Sequence, residues 1–128
     1  MSWMTLDGWW LSARLAWSRP WMRWSAIFSI AASAGVSIWF LATTLPSVRR
    51  HDAFIYHYNI YLGIDDVRVW SWVFFLPSVW FAVTVLDLIV AFGLFRSDSL
   101  LARALVTLAF VWVFPWAGAL FYLSIVNL

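Results

Sequence analysis

The residue with the sharpest chemical potential is Asp87, set in the run Val85-Leu86-Asp87-Leu88-Ile89. Such neighbours offer a carboxylate nothing to bond. At the centre of a membrane helix an ionised side chain costs ~2.5–3.5 kcal/mol on insertion scales unless it is paired or neutral. Three chemistries fit: a structural ion pair, a proton-relay carboxylate, or a contact to another membrane subunit. Arg103 is the obvious partner. If the two segments flanking Arg96-Ser97-Asp98-Ser99 form a hairpin, Asp87 lies about ten residues from the turn centre and Arg103 five or six. At ~1.5 Å per residue the depth gap is roughly 7 Å, much of which an Arg side chain can reach. The expected intramembrane polar pair is Asp87 with Arg103.

A second cluster is the run His57-Tyr58-Asn59-Ile60-Tyr61-Leu62-Gly63-Ile64-Asp65. An imidazole, with a free pKa of ~6.5, can serve as base or ligand, and Asp65 or Asp66 could orient His57. No nucleophile accompanies them. The two His residues, His51 and His57, lack the ligand spacing of a metal site, and the chain has no Cys. The apolar windows hold no His to ligate haem or chlorophyll. The expectation is a non-enzymatic protein without a metal, in which His57, Tyr58, Asn59 and Asp65 build a hydrogen-bonded loop and Gly63 permits a tight turn.

The elements that must position these residues are read from where charge is missing. All eight basic residues are Arg and all six acidic residues are Asp. Charged residues make up 11% of the chain, against roughly 25% in a soluble domain. Trp24–Val48, Val69–Leu86 and Ala104–Leu128 carry no charge, and each is about long enough to cross a ~30 Å hydrocarbon core as a helix. The first exceeds the ~7–15 residues of a signal-peptide core and reads as a retained span. The fold class is all-α: an integral membrane protein with three transmembrane helices and an N-terminal amphipathic interfacial helix, in one membrane domain.

Along the chain, residues 3–18 read as the interfacial helix. Trp3, Leu6, Trp10 and Trp17, with Leu11 nearby, recur at helical spacings, and Asp7 and Arg14 fall on another side. Pro20 separates this helix from span one, 22–45, which Pro46 is expected to end. Within it Ser29, Ser33 and Ser37 repeat every fourth residue beside Gly35, a stripe that lets another helix approach closely. Residues 46–68 read as a structured polar loop on the membrane surface. Spans two and three, 69–95 and 99–126, form an antiparallel hairpin, with Ser97 or Asp98 capping the third helix. Pro77 and Pro115 are expected to kink these two helices at similar depth. The 12 Trp residues suit membrane interfaces, where the ring is buried and its N–H stays wet. Five Arg on the N-terminal tail and the hairpin turn, against Arg49, Arg50 and Arg68 in the loop, predict the N-terminus on the cytoplasmic side of a bacterial inner membrane, with the 46–68 loop and the C-terminus outside.

The loop motif also resembles one found in small, uncharacterised bacterial three-span membrane proteins, where His-Tyr-Asn-Ile-Tyr-x-Gly-Ile-Asp precedes two spans and an Asn follows the second. The resemblance covers residues 57–127, including Pro77, Leu100-Leu101 and Asn127, and excludes the Trp-rich N-terminus. That family tends to carry Asn where this chain has Asp87, which argues against an essential proton-carrying carboxylate. The resemblance implies topology and a role for the loop, and no activity.

The net charge of +2 from scattered Arg leaves no surface for nucleic acid. The expected partners are the lipid bilayer and other membrane protein subunits. The expected function is a non-catalytic accessory subunit of a larger respiratory, photosynthetic or secretory membrane complex. The alternatives are a homo-oligomeric small transporter or channel lined by the span serines, Thr84 and Asp87, and a pigment- or quinone-binding subunit. No cofactor is required by the leading reading.

Overall fold

The computed structural model describes residues 5–128, and at 57–59 and 65 it describes the backbone alone. The order is α1 (Leu6–Trp17), α2 (Pro20–His51), β1 (Phe54–Asn59), β2 (Gly63–Arg68), a 3-10 helix (Trp70–Phe74), α3 (Phe75–Leu94) and α4 (Ser99–Val126). Three helical stretches, Pro20–His51, Trp70–Leu94 and Ser99–Val126, are long and apolar enough to cross a membrane. Only 22%, 28% and 22% of their most apolar windows are buried within the protein. The rest of that apolar surface has lipid as its natural neighbour. The chain is thus a multi-pass membrane protein that contacts the bilayer.

Local chemistry sets the helix ends. Thr5 caps α1, its Oγ1 accepting from the Gly8 N–H at 3.1 Å. Residues 3 and 4 of the expected interfacial helix lie outside the described residues. Pro20 opens α2, where its missing N–H removes no ladder bond. Between α3 and α4 the two turn residues divide the work. The Ser97 hydroxyl donates to the Leu94 carbonyl at 3.0 Å, and Asp98 Oδ1 accepts from the Leu101 N–H at 2.9 Å, making Asp98 the N-cap of α4.

Pro46 does not end α2. The helix continues to His51 with Pro46 inside it, although an interior Pro costs about 3 kcal/mol. Thr44 and Val48 share the buried seam of the helix, at 0% and 2% exposure, so stopping at residue 45 would take Val48 out of the core. The helix stops instead at Asp52, whose φ of 51° is left-handed. The Ala53 N–H then reaches back to the Val48 carbonyl at 3.3 Å, the six-to-one bond of a Schellman closure. Pro77 falls in the first turn of α3, where it breaks no bond. The change from 3-10 to α-helix falls between Phe74 and Phe75, just before it.

The segment expected to be a polar loop is the last turns of α2 followed by an antiparallel hairpin. Phe54 pairs with Arg68, Ile55 with Val67 and Asn59 with Gly63, with irregular register around His57. Gly63 has φ 77°. A three-residue loop, Ile60–Leu62, closed by a left-handed Gly is a common hairpin solution. Among the described residues the two strands depart from an otherwise helical chain.

The molecule divides into two compact units. The first comprises residues 1–32 and 82–113. Its core is Ala16, Met22, Ala26, Leu88, Ala91, Phe95, Ala102, Val106 and Ala109. Alanine at most of these positions lets helix backbones approach closely. The second comprises residues 33–81 and 114–128, and its core is aromatic. Phe54, fully buried, meets Phe40 and Tyr56 edge-on with centroids 6.5 and 6.1 Å apart, and Tyr56 meets Trp72 at 6.4 Å. Arg49 lies over Trp70 and Arg68 over Trp72, at 5.3 and 5.1 Å.

Candidate functional site

In the first unit, Asp87 sits on α3 at a cleft against α4. Val83, Thr84, Leu108, Ala109 and Trp112 line this cleft with it, around a cavity of about 80 Å³. Val83, Leu108 and Trp112 are about half exposed, so the cleft opens on the outer, lipid-facing side. Asp87 Oδ2 is buried and has no hydrogen-bond partner among the described residues. A volume of this size admits a few waters or the tip of one side chain. It is far below the ~300–1,000 Å³ of sites that enclose small molecules.

The expected ion pair with Arg103 does not form. Arg103 is exposed, and no ion pair joins it to Asp87 among the described residues. The residues of α4 level with Asp87 are Leu108 and Ala109, five and six positions beyond Arg103. At ~1.5 Å per residue that is about 8 Å along the axis. Arg103 gains more by keeping its guanidinium in the polar layer near the Arg96–Asp98 turn than by reaching inward.

The serine stripe is not free for a partner. Ser29 and Ser33 are fully buried and Ser37 is 8% exposed. They fall on the same face of α2 as Met22, Phe40, Thr44 and Val48, at steps of three and four. The stripe is therefore consumed by the protein's own packing. The Ser29 hydroxyl donates to the Ser25 carbonyl at 2.7 Å. Gly35 lies about 200° round the helix from Ser33 at 3.6 residues per turn. It is exposed, and an added Cβ would meet nothing within 4 Å.

Two anchors hold the peripheral elements through bonds that local sequence does not signal. In the first unit, α1 is clamped to the C-terminal part of α3. The Trp9 indole N–H donates to the Ile89 carbonyl at 3.1 Å. Ser12 Oγ donates to the Phe92 carbonyl at 2.8 Å and accepts from the Arg96 N–H at 3.0 Å. Residues 92 and 96 are a helical donor–acceptor pair whose direct bond is absent where α3 ends, and the Ser12 hydroxyl stands between them. Gly93 admits the Trp9 ring, since a Cβ there would lie 2.5 Å from Trp9 Cδ1. The helix α1 thus has two distinct faces. Trp9, Ser12 and Ala16 pack on the protein, while Leu6, Trp10 and Trp17 are 89%, 65% and 47% exposed.

In the second unit, Asn127 holds the hairpin. Its Oδ1 accepts from the Ile55 N–H at 2.7 Å, and its Nδ2 donates to the carbonyls of Ile55 and Leu123, both at 2.9 Å. A side-chain amide here plays the part of a neighbouring strand. Of the loop motif, Gly63 makes the turn. The side chains of His57, Tyr58, Asn59 and Asp65 lie outside the described residues. The neighbouring Asp66 pairs with Arg68 at 2.9 Å. Trp80 and Trp116 stack on each other, 6.0 Å apart and 5° from parallel. Among the described residues no group of three His, Cys or acidic side chains is placed to hold a metal ion.

Compared with known proteins, the chain matches no family model, no curated protein and no solved structure.

Proposed function

We propose that this chain is a non-catalytic accessory subunit of a larger membrane protein complex, and that it engages its partner through the Asp87 cleft. One observation carries the proposal. A carboxyl oxygen is buried without a partner at a cleft whose walls face the lipid. Lipid tails cannot bond it, so an isolated copy bears the ~2.5–3.5 kcal/mol of an unpaired acid within a span. A donor from a neighbouring transmembrane helix (an amide, hydroxyl or guanidinium) removes that cost, and the cleft has room for one such tip. The serine stripe no longer supports this reading. The exposed faces of α3 and α4 around Asp87 take its place.

The proposed setting is a bacterial inner membrane, with the N-terminus and the Arg96–Asp98 turn on the cytoplasmic side, following the Arg distribution. The experiment is extraction in mild detergent, native gel separation and mass spectrometry of the band. The native chain is expected to migrate with larger subunits. Asp87→Leu is expected to insert normally but to run free of them, and Asp87→Asn, which keeps hydrogen bonding, to remain largely bound. A native band holding only this chain, or an Asp87→Leu band unchanged in composition, would sink the proposal. In a chain without Cys, single cysteines at Ser97 and Ile60 test the orientation. Labelling of the Ser97 site from the periplasmic face of intact cells would reverse it.

A further inference from the structure

The first unit holds a second cavity, of about 340 Å³, between α1 and α3, lined by Trp10, Ala13, Arg14, Trp17 and Phe92. Its wall carries no polar surface. Arg14 is exposed, so it lines the cavity through its carbon stem, and a long cationic side chain beside apolar surface turns its charged head toward the polar layer. The Ser12 and Trp9 bonds to α3 fix the floor, because they set how far α1 lies from Phe92. The Trp17 ring closes one end against Phe92, with centroids 6.3 Å apart. The site lies where α3 ends and the Arg96–Asp98 turn begins, the level of the lipid headgroups for a span of this length. Trp10 and Trp17 are the aromatic type that settles at that depth.

An aromatic-walled apolar slot with one cation at its mouth, set at headgroup level, matches a ligand with an anionic head and a hydrocarbon tail. We propose that this cavity binds an anionic phospholipid, its phosphate on the Arg14 guanidinium and one acyl chain along Trp10, Trp17 and Phe92. Arg19 and Arg23 follow in the same stretch and add positive potential, which favours an anionic over a zwitterionic headgroup. The proposal is independent of the Asp87 cleft, with which the cavity shares no residue.

The test uses the full chain, delipidated in detergent, with native mass spectrometry read as phosphatidylglycerol or phosphatidylcholine is titrated in. Phosphatidylglycerol should be retained at least ~10-fold more tightly than phosphatidylcholine, and millimolar inorganic phosphate should not displace it. Arg14→Gln should abolish the preference between headgroups. Ala13→Leu, which fills the slot without changing charge, should lower retention of both lipids. Arg14 is exposed and Ala13 lines the slot beside the packed face, so amide exchange at Arg96 is read in both variants, and a native rate shows α1 still docked. Equal retention of the two lipids by the native chain, or a preference that survives Arg14→Gln, overturns the proposal. So does displacement by free phosphate, which would mark a simple anion site. Co-purification of a quinone or pigment from this slot in place of phospholipid also overturns it.

Discussion

Asn127→Asp is expected to release the β-hairpin from the end of α4 while leaving the three spans in place. The native amide makes three bonds, one accepted and two donated, at a residue only 7% exposed. The aspartate keeps an acceptor for the Ile55 N–H. It also sets a second oxygen against the carbonyls of Ile55 and Leu123, so two attractions become repulsions. The Leu123 carbonyl lies on α4 itself and keeps the Asn127 backbone N–H at 3.2 Å, so the Ile55 carbonyl sets the cost to hairpin docking. A buried polar group left unsatisfied costs about 1–3 kcal/mol, which corresponds to roughly 10- to 100-fold faster exchange of the Ile55 amide, at about 1.4 kcal/mol per tenfold. Asn127→Leu should do nearly as much by removing all three bonds. Exchange at Ile55 unchanged in both variants would mean that the aromatic contacts of Phe54 hold the hairpin alone.

Ser12→Ala is expected to undock α1. The hydroxyl is fully buried and satisfies two backbone groups at once. Removing it leaves the Arg96 N–H and the Phe92 carbonyl without that partner, at the end of a helix where such groups are already short of partners. The expected loss is about 1–2 kcal/mol of α1 docking, from two unmet groups that are part-buried. Faster exchange of the Arg96 amide and a red-shifted tryptophan emission from the freed Trp9 would register it. A native Arg96 exchange rate in Ser12→Ala would show that Trp9 and Ala16 suffice. A neutral surface exchange on the same helix, such as Asp7→Asn, serves as the control.

Much of the fold was legible because the bilayer imposes one strong rule. Backbone groups in hydrocarbon must be satisfied within their own segment, so charge-free windows such as Trp24–Val48 translate directly into helices. The short turn at Arg96–Ser99 and the capping chemistry of Asp98 were likewise local facts. The hairpin at 54–68 was less legible, although Phe54-Ile55-Tyr56-His57-Tyr58 is a run of strand-favouring types and Gly63 marks its turn. The same run carries hydrogen-bonding side chains that suit a loop equally well.

What the sequence alone determined is the number of spans, their approximate ends, the polar punctuation between them and the anomaly of Asp87. What only the tertiary structure decided is which side of each helix faces protein. Spacing put Ser29, Ser33 and Ser37 on one face, but it could not say that this face is filled from within. It put Arg103 within plausible reach of Asp87, but the level of α4 beside that carboxyl is Leu108 and Ala109. Pro46 carried a local penalty, and the helix nonetheless continues through it to bury Val48. Ser12 carried no signal in sequence, and Asn127 only its place in the resemblance, because the backbone groups they hold across the fold lie 80, 84 and 72 residues away. Local propensity is written into consecutive residues. Pairing across the fold depends on helix rotation and axial offset, and those are set by the sum of many packing contacts.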